Sequence, residues 1–495
     1  MSTGTPENFT QRTRRALSDG QLQRALATAT ARHHESRSRS LPLLGSEWER
    51  LRERAREVKN HTLAHLDYYL AQFAANVERA GGRVFWAADA AAANRYVVEV
   101  ARRRGARLAV KSKSMMTEEV ELNRALELAG VLAVETDLGE YIVQLAGERP
   151  SHITAPAIHK SRHEIAKLFS EKLGAECGPE TERITALARR VLRERFARAD
   201  LGVTGVNFAV AETGTIALIE NEGNIRLSTS LPRVHVALMG IEKVVPRMED
   251  LEVFLKVLPL GASGQKITSY VSLLTGLKHS PQDEGPEEFH VVIIDNGRTR
   301  ALANAELRES LNCIRCGACL NACPVYQKIG GHAYGWIYPG PIGAVLTPQL
   351  TGRRQSADLP FASTLCGACR DACPVKIDLP RMLLHLRHEI KEGGPDDARG
   401  APAVGAPAHT QASGGGLGAR AAAALEGLAF RLWAGAMKNA SRYRRVSRAA
   451  RWAQKIFGRL GGGTGALPVP PWTRRRDLKP LPPRTFREQW EESRK

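Results

Sequence analysis

Two short cysteine runs constrain this chain more than any other feature. Seven of the eight cysteines lie in Cys313-x2-Cys316-x2-Cys319-x3-Cys323-Pro324 and in Cys366-x2-Cys369-x3-Cys373-Pro374. This spacing is typical of proteins that hold two cubane iron–sulfur clusters. Two such clusters close together move electrons one at a time. The runs also indicate a reducing compartment, because the thiols must stay unoxidised to bind iron.

The spacing predicts which cysteines share a cluster. In two-cluster ferredoxins, the fourth cysteine of such a run ligates the other cluster. Cluster 1 is therefore predicted to be bound by Cys313, Cys316, Cys319 and Cys373. Cluster 2 is predicted to be bound by Cys323, Cys366 and Cys369.

The second run lacks one cysteine. A complete run would have a cysteine at position 363, where the chain has Ser363. Cluster 2 is thus expected to be a three-iron cluster, or a four-iron cluster whose fourth ligand is a serine, a water or a partner group. A zinc site is the alternative, since C-x2-C pairs also bind zinc, but zinc takes four ligands and not seven cysteines. Cys177 stands alone and is interpreted as a structural or surface cysteine.

The composition is that of an ordinary soluble protein. The 495 residues suffice for two or three domains, and 43% hydrophobic with 25% charged residues is unremarkable for such chains. No apolar stretch approaches the length of a membrane span, and the N-terminus lacks the apolar core of a secretory signal. We therefore expect a cytoplasmic protein.

The positive charge is concentrated at the C-terminal end. The net charge is +19, and residues 401–495 hold 18 Lys and Arg against 5 Asp and Glu, which gives +13. A basic tail can meet nucleic acid, anionic lipid or an acidic partner. No helix-turn-helix, finger or RNP-type pattern is present, so nucleic acid is not expected. Peripheral contact with a membrane and docking on a partner subunit stay open.

The chain divides into five predicted segments. We expect an N-terminal helical segment (1–75), an α/β domain (76–299), a ferredoxin-type iron–sulfur domain (300–392), a flexible linker (393–418) and a basic helical tail (419–495). Strands are predicted at 83–89, 107–112, 131–137, 152–158, 235–240 and 290–296. A hairpin is predicted around Thr213-Gly214. Helices are predicted at 118–130, across 161–198 and at 419–460.

Several long strings of the chain resemble those of one known family. In the α/β part they are KSKSMMTEEVELNRALELAG, VETDLGEYIVQLAGERPSHITAPAIHKSR and GVTGVNFAVAETGTIALIENEGNIRLSTSLPRVHVALMG. In the cysteine part they are NCIRCGACLNACPVY, GGHAYGWIYPGPIGA and TLCGACRDACPVKIDLP. These strings resemble the lactate-utilization protein B family, and the missing cysteine at position 363 also looks like the pattern of that family.

The resemblance implies a fold and an activity. It implies a LUD domain of the NagB/RpiA/CoA-transferase-like α/β class, followed by an α-helical ferredoxin-type domain with two [4Fe-4S] clusters. It implies a role in oxidising L-lactate to pyruvate with two partners, a Cys-rich heterodisulfide-reductase-like subunit and a second LUD protein. The chain is then an oxidoreductase component rather than a complete enzyme. It shows no G-x-G-x-x-G fingerprint and no evident flavin pattern.

Other polar residues are candidates for a small-molecule site. Residues at strand ends come first, because α/β sheets bind ligands there: Lys111, Ser112, Lys113, Ser114, Asp137, Glu140, His152 and His159. A second set could form an anion pocket, with Glu212 or Glu220 as a nucleophile: Thr213-Gly214-Thr215 and Glu220-Asn221-Glu222-Gly223-Asn224. Taken singly, solvated carboxylates and structural histidines are the simpler interpretation.

The aromatic segment between the cysteine runs is expected to pack beside a cluster. Its candidates are His332, Tyr334, Trp336 and Tyr338. Such side chains can tune the potential of a cluster or shield it from water. Two further functional classes stay open at this point. One is an enzyme whose LUD pocket acts on a hydroxy acid or a CoA thioester, and the other is a redox sensor or scaffold.

Overall fold

The computed structural model describes residues 7–278, 280, 282–283, 285–392, 417–457 and 481–494. The described residues separate into two compact units, one that ends at residue 392 and one that begins at residue 417. In the described part of the chain, no helix is both long and apolar enough to cross a membrane.

The first unit begins with four helices. They are α1 (Phe9–Ser18), α2 (Gly20–Ser40), α3 (Ser46–Ala64) and α4 (Leu66–Arg79). Asn8 starts α1 with a capping box, and Asp19 accepts hydrogen bonds from the first backbone N–H groups of α2. One face of these helices buries Leu26, Val58 and Phe73 in a core shared with the cysteine region.

A six-stranded parallel sheet forms the centre of the first unit. Its strands, in spatial order, are β1 (Arg83–Ala87), β10 (Glu288–Ile294), β7 (Val234–Gly240), β4 (Leu201–Gly205), β2 (Leu108–Lys111) and β3 (Leu132–Glu135). All neighbours are parallel, so the carboxyl ends of the strands meet at one edge. Five of these strands agree with the predicted ones, and β4 was not predicted.

Helices cover both faces of this sheet, as a parallel sheet requires. They are α5 (Ala90–Arg103), α6 (Met115–Glu119), α7 (Leu122–Leu128), α8 (Leu138–Ala146), α9 (Arg162–Leu173), α10 (Thr181–Ala197) and α13 (Arg298–Ala303). Ala109 of β2 faces the core under α5 and α7, while its neighbour Val110 faces the core under α8 to α10. This alternation follows from the two-residue repeat of a strand.

The first unit also contains a smaller sheet of four strands. Its order is β8 (Val244–Val245), β5 (Phe208–Val210), β6 (Thr215–Glu220) and β9 (Tyr270–Leu274). β5 and β6 are antiparallel and connected through Gly214, which has a φ of 72°. The predicted hairpin is therefore present. The helices α11 (Asn224–Ser230) and α12 (Met248–Ser263) follow β6 and β8.

The cysteine region is built from short helices. They are α14 (Ala318–Ala322), α15 (Tyr326–Ile329), α16 (Gly340–Thr351), α17 (Ala368–Ala372) and α18 (Leu379–Glu392). α14 and α17 begin after Gly317 and Gly367, whose φ angles of 76° and 87° favour glycine. The two helices pack against each other, which brings the two cysteine runs together.

The second unit holds three described helices, α19 (Leu417–Met437), α20 (Ala440–Phe457) and α21 (Phe486–Ser493). The prediction of a single helix at 419–460 is wrong, because the described residues of this range form two helices. Asn439 interrupts it, because its side chain accepts hydrogen bonds from the backbone N–H groups of Ser441 and Arg442 and starts a new helix. The predicted linker lies outside the described residues, apart from its last two positions.

Two other predicted elements differ in the structure. Residues 152–158 form bends and turns instead of a strand, because the His152 ring accepts hydrogen bonds from the backbone N–H groups of Thr154 and Ala155. The helix predicted at 118–130 is broken into α6 and α7. Glu121 has a φ of 52° at the break, which stops a continuous helix.

Candidate iron–sulfur centre and adjoining cavity

The four cysteines assigned to cluster 1 line one small void. Its wall is completed by apolar side chains: Ile314, Ile342, Ile377 and Leu379. Burial, and then the nearby Cys373, raises the pKa of the Cys316 thiol to about 12. Burial also raises the pKa of Cys373 to about 11. Iron bound by these thiols would displace their protons.

The three cysteines assigned to cluster 2 form a second group. Burial raises the pKa of Cys369 to about 12, and the neighbouring Cys323 and Cys366 add to this effect. Cys366 is exposed at the surface, whereas Cys323 and Cys369 are buried. Cys369 also adds to the raised pKa of Cys319, so the two groups are close neighbours. The assignment of individual ligands stays a prediction.

The sulfur atoms of the described cysteines do not form a ready tetrahedral zinc site. In a tetrahedral zinc site, bonds of about 2.3 Å place the sulfurs within about 4 Å of one another. No three cysteine sulfurs in the described residues lie within 4.8 Å of one another. As placed, three cysteine sulfurs are thus too far apart to share one zinc ion.

Two arginines of the N-terminal helices hold the second cysteine run in place. Arg52 of α3 donates to the carbonyl oxygen of Cys373 through Nε and Nη2, at 3.0 and 2.9 Å. Arg37 of α2 donates to the carbonyl oxygen of Ala372 at 3.0 Å. These contacts join residues more than 300 positions apart in the sequence, and no local motif predicts them.

The aromatic segment divides between two environments. Tyr334 is fully buried, and burial followed by the nearby Cys323, Cys319 and Cys369 raises its pKa. His332 is exposed and contacts the carbonyl oxygen of Arg149 at 2.7 Å. Of the four candidates, Tyr334 is thus the side chain that lies among cysteines of both groups.

Tyr338 contacts Glu119 of α6 and Arg315 of the first cysteine run. Its hydroxyl donates to Glu119 Oε2 at 2.6 Å, and its ring lies 4.7 Å under the Arg315 guanidinium. Trp336 packs edge-on against this ring. Tyr338 thus lies against the loop of the cluster 1 cysteines, and the expectation that Trp336 and Tyr338 pack beside a cluster stays a prediction.

A cavity of about 380 Å³ lies at the carboxyl edge of the large sheet. Ser112, Lys113 and Ser114 follow β2, and Gly205 and Gly240 end β4 and β7, as expected for ligand sites in α/β sheets. Its charged lining residues are Lys113, Asp137, Glu220, Glu222, Glu242, Lys243 and Arg315. Ile153 and Ile314 line both this cavity and the void of the cluster 1 cysteines. The two spaces are thus separated by a single layer of residues.

A buried charge network connects the cavity to the cluster 1 loop. Arg298 pairs with both oxygens of Glu119, at 2.8 and 2.7 Å, and with Glu242 Oε2 at 2.7 Å. Arg315, between Cys313 and Cys316, reaches Glu242 Oε1 at 3.3 Å. Burial would raise the pKa of Glu242, but Arg298 and Arg315 hold it at about 2.

Lys111 belongs to a separate buried network and not to the cavity wall. Its Nζ lies 2.7 Å from Glu135 and 3.0 Å from Glu118. Burial opposes a raised pKa, yet these two carboxylates raise the pKa of Lys111. Oxygens of Glu118, Glu135 and Glu140 lie within 4.8 Å of one another, so the lysine supplies the charge that a cation would.

The second set of candidates does not form one pocket. Thr213-Gly214-Thr215 lies at the start of β6, whereas Glu220 ends that strand and lines the cavity. Glu212 is exposed and accepts from the backbone N–H of Met248 at 2.9 Å, at the start of α12. The hairpin turn is thus separated from the cavity by the length of one strand.

His152 and His159 have structural partners. His152 accepts backbone hydrogen bonds through Nδ1, and its Nε2 lies 3.2 Å from Asn321 on α14. Burial lowers its pKa to about 3. Burial also lowers the pKa of His159 to about 4, and its ring lies between Ser151 and Glu148, at 2.9 and 2.6 Å. Neither is left free for a ligand.

Arg315 and Lys243 were missed by the sequence analysis. Lys243 follows β7 and Arg315 sits inside the first cysteine run, so 72 positions separate two residues of one cavity. Arg315 has a φ of 62°, which is strained for a residue with a side chain. A basic residue between two cysteine ligands was the one available signal.

Two protein families match consecutive parts of the chain. Residues 70–294 match the LUD domain family. Residues 309–377 match the 4Fe-4S dicluster domain family. The first range covers the large and small sheets, and the second covers both cysteine runs.

Curated relatives match most of the chain. Lactate utilization protein B of Shouchella clausii is 49% identical over 385 residues, 78% of this chain and 81% of that protein. The Bacillus pumilus protein of the same name is also 49% identical over 385 residues, with the same coverage. The uncharacterized electron transport protein YkgF of Escherichia coli is 47% identical over 388 residues, again 78% and 81%.

A solved structure of a DUF162 family protein from Deinococcus radiodurans covers 46% of this chain and 98% of its own, at 14% identity. Its TM-score of 0.26 is too low to carry an argument about the fold. The curated relatives establish the family, since almost half of the aligned residues are identical to those of this chain over about four fifths of each relative. The chain belongs to the lactate utilization protein B family.

Proposed function

We propose that the chain is the iron–sulfur electron-transfer subunit of a multi-protein complex that oxidises L-lactate to pyruvate and so allows growth on lactate. The observation that carries this proposal is the packing of α14 against α17, which brings two cysteine runs together in a chain whose relatives are named for lactate utilization. A relative named for electron transport supports the same role.

The donor set suits iron–sulfur clusters. Cluster 1 would be held by Cys313, Cys316, Cys319 and Cys373, and cluster 2 by Cys323, Cys366 and Cys369. When bound, two clusters supply two one-electron acceptors, which matches the two electrons that L-lactate releases, with two protons, on becoming pyruvate. Ile314, Ile342 and Ile377 exclude water from the first group. Arg52 fixes the Cys373 backbone.

The exposed thiol of Cys366 indicates where electrons would enter or leave. The other two thiols of its group are buried, so this side of cluster 2 is the side that another protein could reach. The proposed partners are a Cys-rich heterodisulfide-reductase-like subunit and a second LUD protein. We propose a cytoplasmic complex, with peripheral membrane contact through the basic tail, where Trp433 and Trp452 are exposed.

A second candidate is a LUD-domain enzyme that acts directly on a hydroxy acid, with the clusters as electron sink. The cavity beside the cluster 1 loop favours it. Action on a CoA thioester through a glutamate nucleophile has less support. Glu220 accepts from the backbone N–H groups of Ile225 and Arg226, at 2.6 and 2.9 Å, and Glu212 lies outside the cavity. The NagB/RpiA/CoA-transferase-like class is supported by the parallel sheet alone.

The proposed function is tested on protein purified without oxygen. Iron and acid-labile sulfide are measured, and EPR spectra are recorded before and after dithionite. The expected result is two interacting reduced clusters, which L-lactate also reduces once both partner proteins are added. A chain that holds no iron would overturn the proposal. Unchanged growth on L-lactate after deletion of the gene would do so as well.

A further inference from the structure

The acidic side chains of the cavity already have donors. Glu220 caps α11, Asp137 caps α8 by accepting from Glu140 at 3.1 Å, and Glu222 accepts from the backbone N–H of Leu138 at 3.1 Å. Glu242 is held by Arg298 and by Arg315. Each of these carboxylates therefore has a hydrogen-bond donor within the protein, and burial, followed by the nearby Asp137, raises the pKa of Glu222 to about 7.

The basic side chains of the cavity are in a different situation. The ammonium groups of Lys113 and Lys243 form no hydrogen bond and no close ion pair with any other described residue, although the charge of Glu242 acts on Lys243. Both line the cavity, and no other described lysine does so. Two ammonium groups without a protein partner, at one cavity, are an arrangement that an anion would complete.

Two further polar atoms at the cavity wall lack partners. Ser112 is fully buried, and its Oγ has no hydrogen-bond partner among the described residues. The Arg315 side chain is 8% exposed, and its Nη1 has no partner among these residues either. Buried polar groups are nearly always paired, so two orphaned groups at one cavity wall point to a bound molecule.

We propose that this cavity binds a small organic carboxylate, a 2-hydroxy acid or the corresponding 2-oxo acid, with Lys243, Lys113 and Arg315 as the groups that attract its carboxylate. The proposal deepens the proposed function and rests on it, because it places the substrate class of lactate oxidation one residue layer from the cluster 1 cysteines. Ser112 Oγ is then the donor for the 2-hydroxy or 2-oxo oxygen.

The apolar part of the wall sets the shape of this ligand. Ile219, Leu238, Met239 and Leu258 line the cavity together with the charged groups. Ligand cavities of a few hundred Å³ that combine apolar walls with few polar groups are typical of small-molecule sites. A volume of about 380 Å³ exceeds that of a three-carbon acid. The cavity therefore accommodates 2-hydroxy acids with side chains longer than a methyl group.

A competing explanation is that these cations only balance the negative charge of cluster 1. Burial would lower the pKa of the Arg315 guanidinium, but the Cys313 thiol raises it, so the charges of these two groups do act on each other. This explanation predicts no affinity for free carboxylates. Direct binding measurements on the isolated chain separate the two, since they need neither partner proteins nor turnover.

The experiment is isothermal titration of the iron-loaded full chain with L-lactate, pyruvate and 2-hydroxybutyrate, and with the neutral amide of lactate, lactamide. We expect the three carboxylates to bind and lactamide to bind at least tenfold more weakly. In Lys243→Gln, carboxylate affinity falls at least tenfold while iron content and EPR spectra stay those of the wild type. Lys243 lies outside the ligand loops, so this variant avoids the folding risk of Arg315→Gln.

Lys256→Gln is the matched control, because Lys256 is exposed on α12 and pairs with Glu252. Its affinity for the carboxylates is expected to be unchanged. Equal affinity for L-lactate and lactamide, no binding of any acid, or full affinity in Lys243→Gln would each overturn the proposal. If the acids bind as expected but L-lactate with both partners never reduces the clusters, the cavity proposal holds and the proposed function fails.

Discussion

Cys313 and Ser363 occupy the same position in two copies of one turn. Cys313 Sγ accepts from the backbone N–H of Arg315 at 3.4 Å, and Ser363 Oγ accepts from that of Leu365 at 3.1 Å. Arg315 and Leu365 both have left-handed backbones, with φ of 62° and 56°. The second run thus keeps the geometry of a four-ligand run although it lacks the first thiol.

This relationship predicts that Ser363 Oγ is the fourth ligand of cluster 2. Ser363→Ala should convert cluster 2 to a three-iron cluster with an EPR signal in the oxidised state. Ser363→Cys should keep four irons, because a thiol then stands where the first run has one. Iron analysis and EPR measure both. Ser269→Ala, a serine of the LUD domain, should behave as wild type, and a wild-type spectrum in Ser363→Ala would exclude the serine as a ligand.

Glu242 should be a major source of stability in the cavity wall. Glu242→Gln leaves Arg298 and Arg315 buried without this carboxylate, and removal of one partner of a buried pair costs about 3–5 kcal/mol. Urea unfolding monitored by tryptophan fluorescence gives the free energy of unfolding. Glu249→Gln is the control, since Glu249 is 66% exposed and its pair with Arg247 should contribute about 0–1 kcal/mol. Equal losses in both variants would contradict the assignment.

The parts of the fold that were predictable depend on local patterns. The hairpin at Gly214 follows from β-rich flanks, and five of the six parallel strands follow from short apolar runs between helices. The strand predicted at 152–158 is wrong, because the His152 ring accepts a backbone hydrogen bond there and the segment does not pair with a strand. The break at Glu121 has no strong sequence signal, since glutamate usually favours helices.

The site was predictable only where one segment carries it. Each cysteine run lies within one short segment of the sequence, so its spacing predicts a cluster site. Lys243, Arg315 and Glu242 come together through tertiary structure, and Arg52 reaches Cys373 across 321 positions. No periodicity or motif of a single sequence encodes such long-range contacts. The cavity therefore became visible only with the fold.

His235 should make the LUD domain less stable in mild acid. Burial, and then the nearby His290, lowers the pKa of His235 to about 3. The unfolded chain takes up this proton near pH 6.5, so it binds more protons than the folded chain between the two values. The contribution of His235 to the free energy of unfolding is thus fully present above about pH 6.5. Below that pH it falls by about 1.4 kcal/mol for each pH unit.

The measurement is urea unfolding at pH 7.5, 6.5 and 5.5 for the wild type and for His235→Gln. Glutamine can still bond the Thr204 hydroxyl, which lies 2.8 Å from His235 Nε2. The loss of stability between pH 6.5 and 5.5 should shrink by about 1 kcal/mol in this variant. His34→Gln, at an exposed position, should keep the wild-type slope. An unchanged slope in His235→Gln would disprove the assignment.

The Tyr334 hydroxyl should raise the reduction potential of the iron–sulfur clusters. Its hydroxyl is buried, has no partner among the described residues and lies among Cys319, Cys323 and Cys369. A hydrogen bond donated to cluster sulfur stabilises the more negative, reduced state. Tyr334→Phe removes a donor worth about 1 kcal/mol, so the potential should fall by about 40 mV for a one-electron couple.

EPR-monitored redox titration of the iron-loaded chain measures this shift. Tyr326→Phe is the matched control, because Tyr326 is equally buried and its hydroxyl already donates to the carbonyl oxygen of Ser151 at 2.8 Å. That variant should lose stability, since it leaves the Ser151 oxygen without its donor, but keep the wild-type potential. A potential that is the same in Tyr334→Phe and the wild type would show that the Tyr334 hydroxyl does not reach cluster sulfur, and that its role is packing alone.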